Sequence, residues 1–256
     1  MILIDTHTHL YSEEFATDRT EMMERALQNN VQHFFVPAID ASYFNGMQQI
    51  KEQYPNNVHL MMGLHPCYVK PETYEEELAF VKKQLDTNAY CAVGEIGVDL
   101  YWDKTTLALQ QQAFATQIQW AKKLGLPINI HCRDAFDEVF EVLEQEKSNE
   151  LFGIFHCFTG NFNQAQKALS LNMKLGIGGV ATFKNGKIDQ FLNEIPLTEI
   201  VLETDAPYLA PAPHRGKRNE SSYVSLVAQK LAVIYNTTVN QIAEQTTKNA
   251  LNIFKL

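Results

Sequence analysis

The chain has 256 residues, 45% of them hydrophobic and 20% charged, and a net charge of −9. That is globular composition at a size that one (β/α)8 barrel of ~250 residues fills, so residues 1–256 read as a single domain. No apolar run reaches the ~18 residues of a membrane span, and an acidic chain does not wrap duplex nucleic acid on a basic stripe, so any polyanionic substrate has to be held by a local site.

The chain opens MILIDTHTHL, without the basic stretch or small-residue cleavage site of a signal peptide, and reads as a buried strand over Ile2–Asp5. Further strands are expected at Gln32–Pro37, Val58–Met62, Tyr90–Glu95, Pro127–His131, Leu151–His156, Met173–Gly178 and Ile200–Glu203. Stretches with helical spacing separate them. Over Thr105–Leu124, for example, Leu107, Phe114, Ile118 and Ala121 fall on one stripe. Strands alternating with crossover helices point to a closed parallel barrel, an α/β fold of the TIM-barrel type. An open doubly wound sheet is disfavoured because no glycine-rich phosphate loop follows the first strand. After the last strand, a proline-bearing loop over residues 206–219 carries a basic cluster, where barrels of this kind build ligand sites. Two helices end the chain, the second opened by a capping box of Thr238 and Gln241. Cys67, Cys91, Cys132 and Cys157 lie far apart with no CxxC pair, which fits a reducing cytoplasm rather than a disulfide framework.

Histidine position is the most informative feature. His7, His9, His65, His131, His156 and His214 fall at or just past strand C-terminal ends, the face that carries the active site in such barrels. His33 and His59 lie near strand starts and are assigned to structure. His7 and His9 form an HxH pair whose side chains point the same way, ~7 Å apart at Cα and close enough to hold one metal. Alone this is a weak signal. It gains force from Glu95 at the end of the fourth strand, His131 on the fifth, His156 on the sixth, and Glu203 and Asp205 on the eighth. Imidazoles and carboxylates converging on one mouth need a cation among them. The set His7, His9, Glu95, His131, His156 and Asp205 exceeds what one catalytic ion uses while keeping an open position. Two divalent ions are therefore expected, one on His7, His9 and Asp205, the other on His131 and His156, with Glu95 between them. Nitrogen-rich ligation suits Zn²⁺, Mn²⁺ or Fe²⁺, whereas Mg²⁺ prefers oxygen.

Of the arginines Arg19, Arg25, Arg133, Arg215 and Arg218, the last three fall on loops after the fifth and eighth strands, where a planar guanidinium suits phosphate oxygens. Cys132 and Cys157 each follow a ligand histidine, and strand alternation is expected to turn both thiols toward the helix layer.

Seven motifs, in order, carry a further reading: DTHTHL, GLHP, GEIGVDLY, IHCRDA, HCFTG, ETDAPYL and RGKRNE. With them the chain resembles the TatD family of metal-dependent hydrolases over nearly its whole length. The resemblance implies a TIM barrel of the amidohydrolase type, with metal positions at His7, His9, Glu95, His131, His156 and Asp205. Family members are described as Mg²⁺-dependent deoxyribonucleases, including 3′-to-5′ exonucleases, and some relatives remove D-amino acids from tRNA. The expected activity is thus phosphodiester hydrolysis of single-stranded DNA or RNA by a TatD-like DNase, through a hydroxide activated by two metals. Asp205 is the expected proton acceptor, with His65, Arg133 and Arg218 on phosphate oxygens. The same ligands would also serve a D-aminoacyl-tRNA ester or an amide. A non-catalytic, metal-stabilised binding module is disfavoured, because structural metals use closed and usually cysteine-rich ligand sets. No obligate protein partner is evident. Glu203 stays open between positioning a water and holding a third cation, and Asp99 between touching substrate and holding its loop. In one departure, Ser221-Ser222 stands where the family usually has proline after RGKRNE, and a serine cap is expected to start the next helix instead.

Overall fold

The computed structural model describes residues 1–256 and sets eight parallel strands in one sheet, in sequence order. They are β1 (Leu3–Asp5), β2 (Val31–Val36), β3 (Val58–Met62), β4 (Ala92–Asp99), β5 (Ile128–Arg133), β6 (Gly153–Phe155), β7 (Met173–Ile177) and β8 (Ile200–Leu202). The sheet closes on itself. Thr6 N–H donates to Leu202 O at 3.0 Å, Asp205 N–H to His7 O at 2.9 Å and His9 N–H to Ala206 O at 2.8 Å, joining the end of β1 to the end of β8. The expected TIM barrel is what the chain forms.

Helices α1 (Arg19–Gln28), α2 (Phe44–Gln53), α3 (Tyr74–Leu85), α4 (Leu107–Leu124), α5 (Phe136–Gln145) and α6 (Phe162–Ser170) connect successive strands, and α7 (Val224–Ile234) and α8 (Val239–Phe254) follow β8. Between β7 and β8 the chain makes only 3₁₀ turns. Of the expected α4 stripe Phe114, Ile118 and Ala121 are buried, joined by Ala113, while Leu107 at the helix start is half-buried, and Gly125 ends the helix in the left-handed region at φ +63°. Two buried glutamines on the same face fasten the barrel mouth, Gln117 accepting from Leu64 N–H at 2.7 Å and Gln110 from Asp99 N–H at 2.8 Å. The Thr238–Gln241 capping box opens α8 as expected.

The main core lies between sheet and helices. A second cluster of Ile4, Phe35, Met61, Ala92, Ile154 and Val201 packs with Ile253 and Phe254 of α8 and plugs the end where the strands begin. The opposite end is left open. No helix is long and apolar enough to cross a membrane.

Two expectations need correcting. β4 does not stop at Glu95 but runs on to Asp99, past Gly97 at φ +146°, where a Cβ would lie 2.0 Å from His131 O. The serines after RGKRNE cap nothing: Ser221 Oγ meets Thr8 Oγ1 at 3.2 Å, Ser222 Oγ meets Glu220 Oε1 at 2.5 Å, and α7 starts without a side-chain cap. A contact across the fold has claimed the Ser221 hydroxyl, and a carboxylate two residues away that of Ser222.

Candidate metal centre

Glu95 sits at the centre of the open end, 2% exposed, with an imidazole nitrogen from each of five histidines around it. Its two oxygens face different groups. Oε2 lies 3.3 Å from His7 Nε2 and 3.8 Å from His9 Nε2. Oε1 lies 2.8 Å from His131 Nδ1, 3.1 Å from His156 Nε2 and 3.3 Å from His65 Nε2. Asp205 Oδ1 completes the first group, 3.4 Å from His9 Nε2 and 3.7 Å from His7 Nε2. Asp205 holds φ +58°, a left-handed turn that asparagine and aspartate tolerate better than other side chains, just past β8.

Hydrogen bonds behind the imidazoles decide which nitrogens carry protons. Tyr11 gives its hydroxyl hydrogen to Pro37 O at 2.9 Å, so at 2.8 Å it accepts from His9 Nδ1–H. His7 Nδ1–H donates to Asn129 Oδ1 at 2.8 Å. Both Nε2 atoms of these rings, in neutral form, therefore present lone pairs to each other across 3.3 Å, with two carboxylate oxygens beside them. Facing lone pairs and carboxylates repel unless a cation lies among them, so the donor set fits a divalent ion. His131 is held from behind by Asp99, whose Oδ2 lies 2.8 Å from Nε2, leaving Nδ1 toward Glu95. His156 has Glu203 Oε1 behind its Nδ1 at 3.4 Å. Burial opposes charge on His131 and His156, but the neighbouring carboxylates outweigh it and raise both above the ordinary imidazole range.

His65 differs. Its Nδ1 accepts from Cys67 N–H at 3.1 Å, which places the hydrogen on Nε2, the atom facing Glu95. Burial, the largest influence, pulls His65 below the ordinary range. In this tautomer the inward nitrogen is a donor and not a metal ligand, so the geometry is that of a group offering a hydrogen bond to an oxygen in the site.

The structure brings all six expected ligands together and also answers the open residues. Asp99 does hold its loop, accepting at Oδ1 from Tyr101 and Trp102 N–H at 2.9 and 3.0 Å, while its other oxygen orients His131. Glu203 is fully buried behind His156, where it accepts from Cys157 N–H and packs so closely on Gly176 that a Cβ there would lie 2.2 Å from Oε2. Asn129 carried no sequence signal because its partner His7 lies across the barrel, and Tyr11, though only two residues past His9, is fixed as an acceptor by Pro37 O from the end of another strand.

The floor of a cavity of about 1090 Å³ is formed by this cluster, and Arg133, Arg215 and Lys217 stand on its walls. Arg218 does not. Its guanidinium is bound fork-to-fork by Asp18, at 2.6 Å to each oxygen, and donates to Glu14 O, so the expected phosphate contact gives way to an ion pair. That pair, with Arg218 the main cause, holds the Asp18 carboxyl at about 2. Of the two thiols, Cys132 packs against the core between sheet and helices as expected, and Cys157 departs from expectation. β6 ends at Phe155, so alternation no longer governs Cys157, which stands at φ +44° and lines the cavity, as Cys132 does. Burial pushes both thiols up, away from thiolate chemistry. His214 stacks on Tyr223 with ring centroids 4.3 Å apart, outside the cluster.

A closed parallel barrel with imidazoles and carboxylates gathered at the C-terminal ends of its strands is the arrangement of a metal-dependent hydrolase. Residues 4–255 match the family described as TatD related DNase, and the chain belongs to that family. An uncharacterized metal-dependent hydrolase of Bacillus subtilis, YabD, is 39% identical over 256 residues, covering 100% of both chains. The 3′-5′ ssDNA/RNA exonuclease TatD of Yersinia pseudotuberculosis is 29% identical, covering 99% of this chain and 100% of that protein. The crystal structure of YJJV, a TatD homologue from Escherichia coli, superposes with a TM-score of 0.91 at 28% identity, covering 99% of this chain and 98% of the other.

Proposed function

We propose that the chain is a phosphodiesterase that removes nucleotides from the 3′ end of single-stranded DNA or RNA, using two divalent ions that share Glu95. The observation that carries this reading is the division of Glu95, Oε2 toward His7 and His9, Oε1 toward His131 and His156. One ion would take His7, His9 and Asp205, the other His131 and His156. The bond class is supported by the Yersinia relative, named for exonuclease activity, and by Arg133, Arg215 and Lys217 at the mouth of a protein whose net charge is −9.

Bound ions would supply Lewis acidity toward the phosphoryl oxygens and lower the pKa of the attacking water. The side chains do the rest. Asp205 stays ionised: burial opposes its charge, but the imidazoles around it outweigh burial and hold its carboxyl below the ordinary value. It accepts the proton of the attacking water and returns it to the leaving oxygen. His65 offers Nε2–H, and Arg133 its guanidinium, to phosphate oxygens. Tyr11, Asn129, Asp99 and Glu203 keep the imidazoles in their tautomers and orientations.

The test is product analysis of end-labelled single-stranded DNA and RNA over a series of Mg²⁺, Mn²⁺ and Zn²⁺, with D-aminoacyl-tRNA assayed in parallel. Mononucleotides released from the 3′ end are the expected result. Deacylation without nucleotide release would transfer the site to ester chemistry.

A further inference from the structure

We propose that Trp102, set in register with the metal centre by Asp99, is a stacking platform for an unpaired base of the substrate strand, and so selects single strands without regard to sequence. The inference rests on the nuclease reading above and deepens it.

Trp102 is 69% exposed, yet its backbone is not free. Asp99 Oδ1 accepts from both Tyr101 and Trp102 N–H, and Asp99 Oδ2 holds His131. One buried carboxylate thus fixes an aromatic pair at the rim to a ligand on the floor. The two neighbouring rings have different fates. Tyr101 has the Arg133 guanidinium 3.8 Å over its ring, so one face is already covered. Trp102 stands perpendicular to Tyr101, at 90° and 5.0 Å between centroids, with Arg133 farther away at 5.7 Å, and it lines the cavity. On the far wall, after β8, stand Tyr208, 52% exposed, and the cations Arg215 and Lys217. An open indole on one side and cations near it and opposite it meet the two chemistries of an unpaired nucleotide, a π-face and a phosphate. In a duplex each base already stacks between its neighbours and offers its edges, so this wall gives a duplex little.

Kinetics on paired substrates test the platform: an end-labelled single-stranded oligonucleotide, and the same strand with abasic residues at its 3′ end. Trp102→Ala is expected to lower kcat/KM on the normal strand about 5- to 150-fold, the range of one base–aromatic stack, and Trp102→Phe to restore most of it. On the abasic strand wild type and Trp102→Ala should be equal, because the base that would stack is gone. Oligo(dT) titrated into the metal-free wild-type protein should quench tryptophan fluorescence, and this quenching should vanish in Trp102→Phe, which retains Trp120. Cleavage by wild type with no loss in Trp102→Ala on the normal strand would overturn the platform and leave the nuclease reading standing. Quenching without cleavage would keep the platform and overturn the nuclease reading. Neither quenching nor cleavage would overturn both.

Discussion

Both ends of this barrel hold a pair of histidines in contact, and only one pair is built for a metal. At the closed end, His33 Nδ1 and His59 Nε2 lie 2.9 Å apart. One ring gives a hydrogen and the other accepts it, no carboxylate stands within ion-pair distance, and His59 leans on Phe35, which stacks on Phe254 of α8 at 3.7 Å. At the open end, His7 and His9 lie only slightly farther apart at 3.3 Å, but each has already given its Nδ1 hydrogen to a partner behind it. What separates a packed histidine pair from a ligand pair is therefore the commitment of the outer nitrogens, to Asn129 and Tyr11, and the carboxylates on the inner side. The ring-to-ring distance alone does not distinguish them.

The largest break in that contrast should come from Glu95→Gln. The amide can offer one acceptor but carries no charge between the two groups, so bound metal should fall at both positions and hydrolysis should drop to background. Metal analysis of the dialysed variant checks it, and two retained ions would end the shared-carboxylate arrangement. Asp205→Asn comes next: turnover should fall ~10²–10⁴-fold, since the proton acceptor is lost, while the ion on His131 and His156 stays bound. Near-full activity with both ions bound would reduce Asp205 to a ligand.

Tyr11→Phe sharpens the comparison without touching a ligand. His9 Nδ1–H loses its acceptor, which makes the open-end pair more like the closed-end one, and metal affinity or activity should fall ~10- to 100-fold. Competition with a chromophoric chelator measures the affinity directly. At the rim, Arg133→Ala should raise KM for an oligonucleotide and cost about 1.5–3 kcal/mol in kcat/KM at unchanged metal content. Arg218→Ala should leave KM alone and remove only the ~0–1 kcal/mol of a partly exposed ion pair with Asp18, visible as a small shift in the urea midpoint.

The smallest effect belongs to the closed end. Burial first, then His33 and Lys51, hold His59 down at about 4, below its ordinary 6.5. The folded ring stays neutral in this window while the unfolded one takes up a proton, so stability is complete above pH 6.5 and declines as pH falls toward 4. His59→Gln should flatten that part of the decline in urea midpoint relative to wild type, and identical pH profiles would contradict the assignment.

How much of this was legible in the sequence follows from the range of each interaction. Strand positions rest on local composition, and β3 falls where the pattern of Val58–Met62 puts it. The convergence of the candidate ligands was legible because the barrel turns a linear rule, histidine or carboxylate at a strand's end, into spatial proximity. Arg218 was misread because its partner, Asp18, lies 200 residues away and has no motif of its own. Cys157 was misread because a periodic rule was carried past the end of its strand. Tyr11, Asn129 and the His65 tautomer depend on single hydrogen bonds set by packing, which spacing cannot encode.

The seam between β1 and β8 has a consequence for the birth of the molecule. His7 and His9 come from the first strand and Asp205 from just past the last, and they meet only across the hydrogen bonds that close the barrel. A chain still missing β8 can offer an ion scattered imidazoles, but not this pocket. An ion held at that position would therefore be a certificate of completed closure. An ion that bound the closed form and not the open one would tighten the seam by about 1.4 kcal/mol for each tenfold rise in free metal above its Kd, so the residues proposed for the chemistry would also lock the barrel.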